Sequence, residues 1–233
     1  MNNQVPSVIY GEINRDHSYE EVWEFQKSLQ KKLIQRKRAD QLVHAGYLLL
    51  CEHAPVFTLG KSGDLSNLTI SEDQLSEENT EFFKINRGGD ITYHGPGQIT
   101  GYPILDLDQF YNDVHRYVRE LEEIVIRTID HYGLKGHRID GYTGVWLKEG
   151  QKKRKICAIG VHMSRWVSMH GFALNVGTNL NYFDQIIPCG IQEEDMTVTS
   201  IEKELAKRID LEEVRKYLIF HFQEVFQCKI VNH

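Results

Sequence analysis

The 233-residue chain predicts an α+β domain, a central mixed β-sheet flanked by helices. Three observations lead there. Apolar residues recur at helical spacing toward both ends of the chain, strand-like apolar runs gather in its middle, and no regular alternation of strand and helix links the two as a βαβ array requires. With 41% hydrophobic and 26% charged residues, the composition suits one well-buried core, so residues 1–233 are read as a single domain.

The elements follow in order. Ser18-Tyr19-Glu20-Glu21 has the form of a capping box, and Val22, Phe25, Leu29 and Leu33 then repeat at helical spacing, which predicts a helix from Tyr19 to Arg38. Tyr47 to Cys51 and Val56 to Leu59 read as a strand pair, separated by Glu52-His53-Ala54-Pro55 and closed by Gly60-Lys61-Ser62-Gly63. Val114, Tyr117, Leu121, Ile124, Val125 and Thr128 predict a second amphipathic helix, ended by Gly133. The period then changes, and Val145 to Leu147, Ile156 to Met163 and Val167 to Val176 read as three neighbouring strands, the last two joined by a turn around Ser164-Arg165. Thr199-Ser200-Ile201-Glu202 and Asp210-Leu211-Glu212-Glu213 each start a helix, the second reaching about Phe226.

Composition excludes several classes of function. A formal charge of -6 gives no whole-molecule attraction to nucleic acid or anionic lipid, although Arg36-Lys37-Arg38 and Lys152-Lys153-Arg154-Lys155 are local basic runs. No apolar run is long enough to span a bilayer, and the amino terminus lacks the pattern of a signal peptide, so a cytoplasmic location is expected. Cys51, Cys157, Cys189 and Cys228 are widely spaced, which argues for free thiols and against a disulfide framework or a zinc site.

Chemistry concentrates in three segments. Arg87-Gly88-Gly89-Asp90-Ile91-Thr92-Tyr93-His94-Gly95-Pro96-Gly97-Gln98 crowds ionisable side chains between glycines, which let a backbone approach a ligand closely, so it is read as a substrate loop rather than plain turns. Cys189 stands between Pro188 and Gly190 and is presented on a loop, whereas Cys51 and Cys157 sit in apolar strands as packing residues do. Both a nucleophile and a structural thiol are compatible with that setting. Lys155 opens the apolar run Ile156 to Gly160, where a snorkelling strand-edge lysine is the plain alternative to a functional one.

Together these segments resemble the lipoyl(octanoyl) transferases of lipoate biosynthesis. The resemblance covers about Cys51 to Glu202 and rests on motifs in order: Glu52 to Gly60, Arg87 through Leu107, Gly144-Val145-Trp146, Lys155 with Ala158-Ile159-Gly160, His170 to Asn175, and Ile187-Pro188-Cys189-Gly190 followed by Val198-Thr199-Ser200. It implies the fold of the catalytic domains of biotin and lipoate protein ligases, and Cys189 and Lys155 as the reacting pair. It further implies an acyl site lined by Arg87, Gly88, Gly89, Asp90, Ile91, Thr92, Tyr93, His94, Ala158, Ile159, Gly160, Gly171, Phe172 and Ala173. The implied donor is an octanoyl-acyl carrier protein, and the acceptors are lipoyl domains of 2-oxoacid dehydrogenase complexes and the glycine cleavage H protein. Neither cofactor nor metal is implied. The sequence departs from the pattern at Cys157, where a small apolar residue is expected, and in the acidic stretch after Gly190. An ATP-dependent lipoate or biotin protein ligase of the same fold is the alternative, distinguished by its having no need of a cysteine nucleophile.

Overall fold

The computed structural model describes residues 5–187 and 195–232. A large mixed sheet runs through them in the order β12 (Lys229–Asn232), β1 (Ser7–Ile13), β2 (Gly46–Cys51), β6 (Gln98–Leu105), β10 (Val167–Asn175), β9 (Lys152–Ser164), β8 (Tyr142–Glu149) and β7 (His137–Ile139), with β11 (Met196–Val198) also on β9. A smaller sheet is ordered β4 (Glu81–Lys84), β3 (Val56–Leu59) and β5 (Ile91–His94). The α+β architecture, a mixed sheet flanked by helices, is therefore the one the sequence predicts.

Helix α1 (Tyr19–Arg38) covers one face. Its capping box is complete: Glu21 N–H donates to Ser18 Oγ at 3.2 Å and Ser18 N–H to Glu21 Oε2 at 2.8 Å. Val22, Leu29 and Leu33 pack on Tyr47, Leu49, Tyr102 and Ile104. Helices α3 (Val114–Asp130) and α5 (Leu211–Phe226) cover the opposite face, where Leu121, Ile124, Val125, Leu218 and Phe222 meet Ile99, Cys157, Phe172 and Leu174 in the main core. Short helices α2 (Glu72–Glu77) and α4 (Ile201–Leu205) are the other α-helices among the described residues. Ser200 caps α4 and Asp210 caps α5, at the two starts predicted.

Two expectations are corrected. The runs Gly46–Cys51 and Val56–Leu59 are both strands but do not pair. Both edges of β2 are taken by β1 and β6, and both edges of β3 by β4 and β5, so Glu52 to Pro55 carries the chain from one sheet to the other. Lys155 does not open its strand. Strand β9 begins at Lys152, and Lys155 is paired on one side to Trp146 and on the other to Val198.

Candidate active site

The α1-facing side of the large sheet is hollow over β9 and β10. Gly160 lies opposite Gly171 and Ala158 opposite Ala173, so strand alternation puts all four small residues on that face while Phe172 and Leu174 fill the core behind. The missing side-chain volume leaves a cavity of about 460 Å³. Its cover is the segment predicted as a substrate loop. Gly88 N–H donates to the Val161 carbonyl at 2.9 Å, and Lys61 and Ser62 N–H groups donate to the Arg87 and Gly89 carbonyls at 2.9 and 3.2 Å. A Cβ on Gly160 would stand 2.7 Å from the Gly88 carbonyl oxygen, so the glycine there permits the close approach.

Arg87, Gly88, Gly89, Asp90, Ile91, Thr92 and His94 line this cavity from the loop, and Ala158, Ile159, Gly160, Gly171, Phe172 and Ala173 line it from the strands. Tyr93 does not. It lies on the other face of β5, fully buried, with its ring stacked on Tyr182 at 4.4 Å between centroids. The side chain of Arg87 is folded down, its Nη2 donating to the Thr58 carbonyl at 2.5 Å and to Thr58 Oγ1 at 3.0 Å, with Nη1 to the Gly88 carbonyl at 3.1 Å. Asp90 accepts from Ile91 N–H at 2.7 Å and from Asn67 Nδ2 at 2.5 Å. These two charged residues thus hold the loop's shape.

A buried histidine cluster stands beside the cavity. His94 Nδ1 is 2.8 Å from Gln98 Oε1, His170 Nε2 is 2.9 Å from Asn86 Oδ1, and His53 Nε2 is 2.7 Å from the Tyr102 hydroxyl. Desolvation disfavours the imidazolium at each, pushing His94 down to about 4 and His53 and His170 down to about 3. All three rings are neutral near pH 7. His94 and His170 line the cavity, as do Tyr19, Tyr102, Asn175, Phe183 and Val198, which reading by motif did not single out as site residues. Tyr102, Asn175 and Val198 lie within the motifs of the resemblance; Tyr19, at the start of α1, carries no local sign of a site role.

Lys155 also lines the cavity, and a β-bulge aims it there. Trp146 is opposite Lys155 but Val145 is opposite Cys157, so Ile156 is an extra residue on β9. Ile156 and Cys157 both enter the core, and Lys155 and Ala158 both face the cavity. The Lys155 ammonium sits 4.6 Å from the centroid of the buried Trp146 ring.

Cys189 lies outside the described residues. Phe183 and Val198, described residues on either side of 188–194 in the sequence, both line the cavity. Cys51, Cys157 and Cys228 are buried, and burial pushes all three thiols up, Cys51 and Cys228 to about 12. Buried thiols held protonated are poor nucleophiles.

Lys37, Lys153 and Arg154 of the two basic runs are tied into ion pairs. Arg154 contacts Glu204 through Nε at 2.8 Å and Glu149 through Nη1 at 3.0 Å, Lys153 contacts Asp195 at 3.3 Å, and Lys37 holds Asp106 at 2.6 Å. Among the described residues no helix is long and apolar enough to cross a membrane, and no group of three or more His, Cys, Asp or Glu side chains is placed to hold a metal ion.

The model of the lipoyl protein ligase A/B catalytic domain matches residues 18–223. An octanoyltransferase of Christiangramia forsetii is 55% identical over 219 residues, covering 91% of this chain and 93% of its own, and an octanoyltransferase of Flavobacterium johnsoniae is 51% identical over 224 residues, covering 94% and 95%. Among solved structures, a bi-partite lipoate protein ligase from Thermoplasma acidophilum superposes with a TM-score of 0.71 at 16% identity, over 99% of this chain and 87% of that one. At that identity the likeness concerns the fold.

Proposed function

The chain belongs to the lipoyl protein ligase A/B catalytic-domain family and is an acyltransferase of the octanoyltransferase type, and from that premise we propose that it moves an octanoyl group from octanoyl-acyl carrier protein to one lysine of a lipoyl domain through a thioester on Cys189. The observation that carries this reading is a lysine turned into a cavity that Phe183 and Val198, on either side of the Cys189 segment in the sequence, also line.

In the first half-reaction the Cys189 thiolate attacks the carbonyl carbon of the donor thioester. The carrier leaves as a thiolate and takes up the proton that the Lys155 ammonium releases once the Cys189 charge is consumed, so the octanoyl group stays on Cys189 and Lys155 is left neutral. A cation beside a thiol favours its thiolate, which is the part assigned to the Lys155 ammonium. Exchange of one thioester for another is near neutral in energy, so no ATP is needed. In the second half-reaction the lipoyl-domain lysine attacks as a neutral amine, Cys189 leaves as thiolate, and the amine's proton passes to Lys155 acting as general base. The amide formed is more stable than the thioester consumed, and that difference drives transfer. Its acceptors are the lipoyl domains of 2-oxoacid dehydrogenase complexes and the glycine cleavage H protein.

The cavity suits the acyl tail. The six methylenes of an octanoyl chain contribute on the order of 5 kcal/mol when buried, at about 0.8 kcal/mol each. Incubation with octanoyl-acyl carrier protein and a lipoyl domain, without nucleotide, should octanoylate the domain. Modification only with free lipoate and ATP would replace this reading with that of a ligase.

A further inference from the structure

The glutamate at position 122 is wholly buried on α3 and does not line the cavity, although Val118 one turn earlier and Thr143 beside its partner Gly144 do, and it is linked to the direction in which Lys155 points. Its Oε1 accepts the Gly144 N–H at 3.0 Å, and its Oε2 accepts from Arg119 Nη1 at 2.8 Å and Arg138 Nε at 3.1 Å. Gly144 stands at φ +123°, and a Cβ there would meet the Cys157 carbonyl oxygen at 2.5 Å and come within 3.6 Å of Lys155 Cε. Gly144 is therefore pressed against the far side of the bulge that reverses the alternation of β9.

The geometry points to Glu122 as a positioning residue for the acyl-transfer reaction: by fixing the Gly144 N–H it holds β8 against the bulge at Ile156-Cys157 and so keeps Lys155 on the cavity face. Strand register makes the consequence sharp. Loss of the extra residue restores plain alternation, which would turn Lys155 to the same side as Cys157 and into an apolar core. The two arginines serve a different end, neutralising the buried carboxylate. They are half-exposed at their far sides and can follow a small displacement, whereas the Gly144 amide cannot.

That difference gives the test. Glu122→Asp keeps the charge and the arginines but withdraws the oxygens by about 1.5 Å, out of hydrogen-bond reach of Gly144 N–H. Glu122→Gln keeps the length and an oxygen acceptor for Gly144 but loses both ion pairs. Glu122→Asp is expected to lower kcat at least tenfold at unchanged KM for the carrier protein, with a small change in Tm. It should also shift the pH profile of Cys189 alkylation toward that of Lys155→Met. Glu122→Gln is expected to lower Tm clearly while keeping kcat within about threefold. A merely structural Glu122 would make kcat fall in step with Tm in both variants, and either that pattern or full activity of Glu122→Asp overturns the inference. The inference rests on the role given to Lys155, so Lys155→Met is measured alongside. If Lys155→Met is active, the reading of the reaction has failed; if it is inactive while Glu122→Asp is active, only the positioning role has.

Discussion

Replacing Ala173 by leucine should shorten the acyl chain the enzyme prefers. Ala173 is one of the four small residues on the cavity face, opposite Ala158, and its side chain borders the empty volume rather than packed core. Leucine adds three carbons there. If they displace about three tail methylenes at about 0.8 kcal/mol each, binding of an octanoyl donor weakens by about 2.4 kcal/mol, roughly fiftyfold at 1.4 kcal/mol per tenfold. A butanoyl donor, lacking the distal methylenes, should lose no more than about threefold. The assay is kcat/KM for both acyl-carrier donors against a fixed lipoyl domain, with thermal unfolding to register any overpacking cost, typically about 1–3 kcal/mol when the added carbons find no room. An unchanged ratio between the two donors, whether both fall or neither does, would refute the placement of the tail over β9 and β10.

Other perturbations test other parts. Cys157→Ala should retain octanoyl transfer and lose about 1 kcal/mol of stability, as for one buried heavy atom, whereas Cys189→Ala should lose transfer with the fold intact. The buried histidines predict acid sensitivity: unfolded rings take up protons from about pH 6.5 downward while folded His53 and His170 resist until about 3, so stability should rise with pH between those limits. His170→Asn should flatten that rise in urea titrations at stepped pH, and an unchanged slope would contradict the neutral assignment. Arg154 and the Thr199 hydroxyl hold the Glu204 carboxyl below its usual value against the opposing effect of burial. The stability this gives is present above about 4.5 and fades as pH falls through the lowered folded value. Arg154→Met should remove that increment and leave KM for the carrier protein alone, since the arginine is engaged within the fold.

Much of the fold is legible in the sequence wherever local chemistry decides it. The Ser18 and Glu21 box needs only four residues to declare itself, and α1 starts where it predicts. Pairing between distant strands has no such local sign. Two apolar runs with a Pro-containing link look like a hairpin, and only the edges offered by β1, β6, β4 and β5 decide that β2 and β3 part company. At the site, glycines marked the loop because close backbone approach leaves a compositional trace. The resemblance implies Tyr93 in the lining along with all of residues 87–94; as part of strand β5, period two sets Tyr93 and its Phe57 and Tyr182 neighbours apart from Thr92 and His94. The sequence did show Ile156 and Cys157 as consecutive apolar residues after Lys155, but a bulge is defined by its partner strand, so the aim of Lys155 depends on Trp146 and Val145. Glu122 had no motif around it at all; its meaning comes from Gly144, across the fold.

In the proposed reaction the acyl group passes through Cys189 with Lys155 as its partner. The most direct measurement is mass spectrometry of the Lys155→Arg variant after incubation with octanoyl-acyl carrier protein and a lipoyl domain. Arginine keeps the cation that favours a thiolate but effectively never releases its proton, so the first half-reaction should survive and the second should stall. A single octanoyl increment is expected on the peptide containing Cys189, accumulating in the variant and cleared by the lipoyl domain in the parent. A lipoyl domain octanoylated at the parental rate, with no acyl group on Cys189 in either protein, would contradict it.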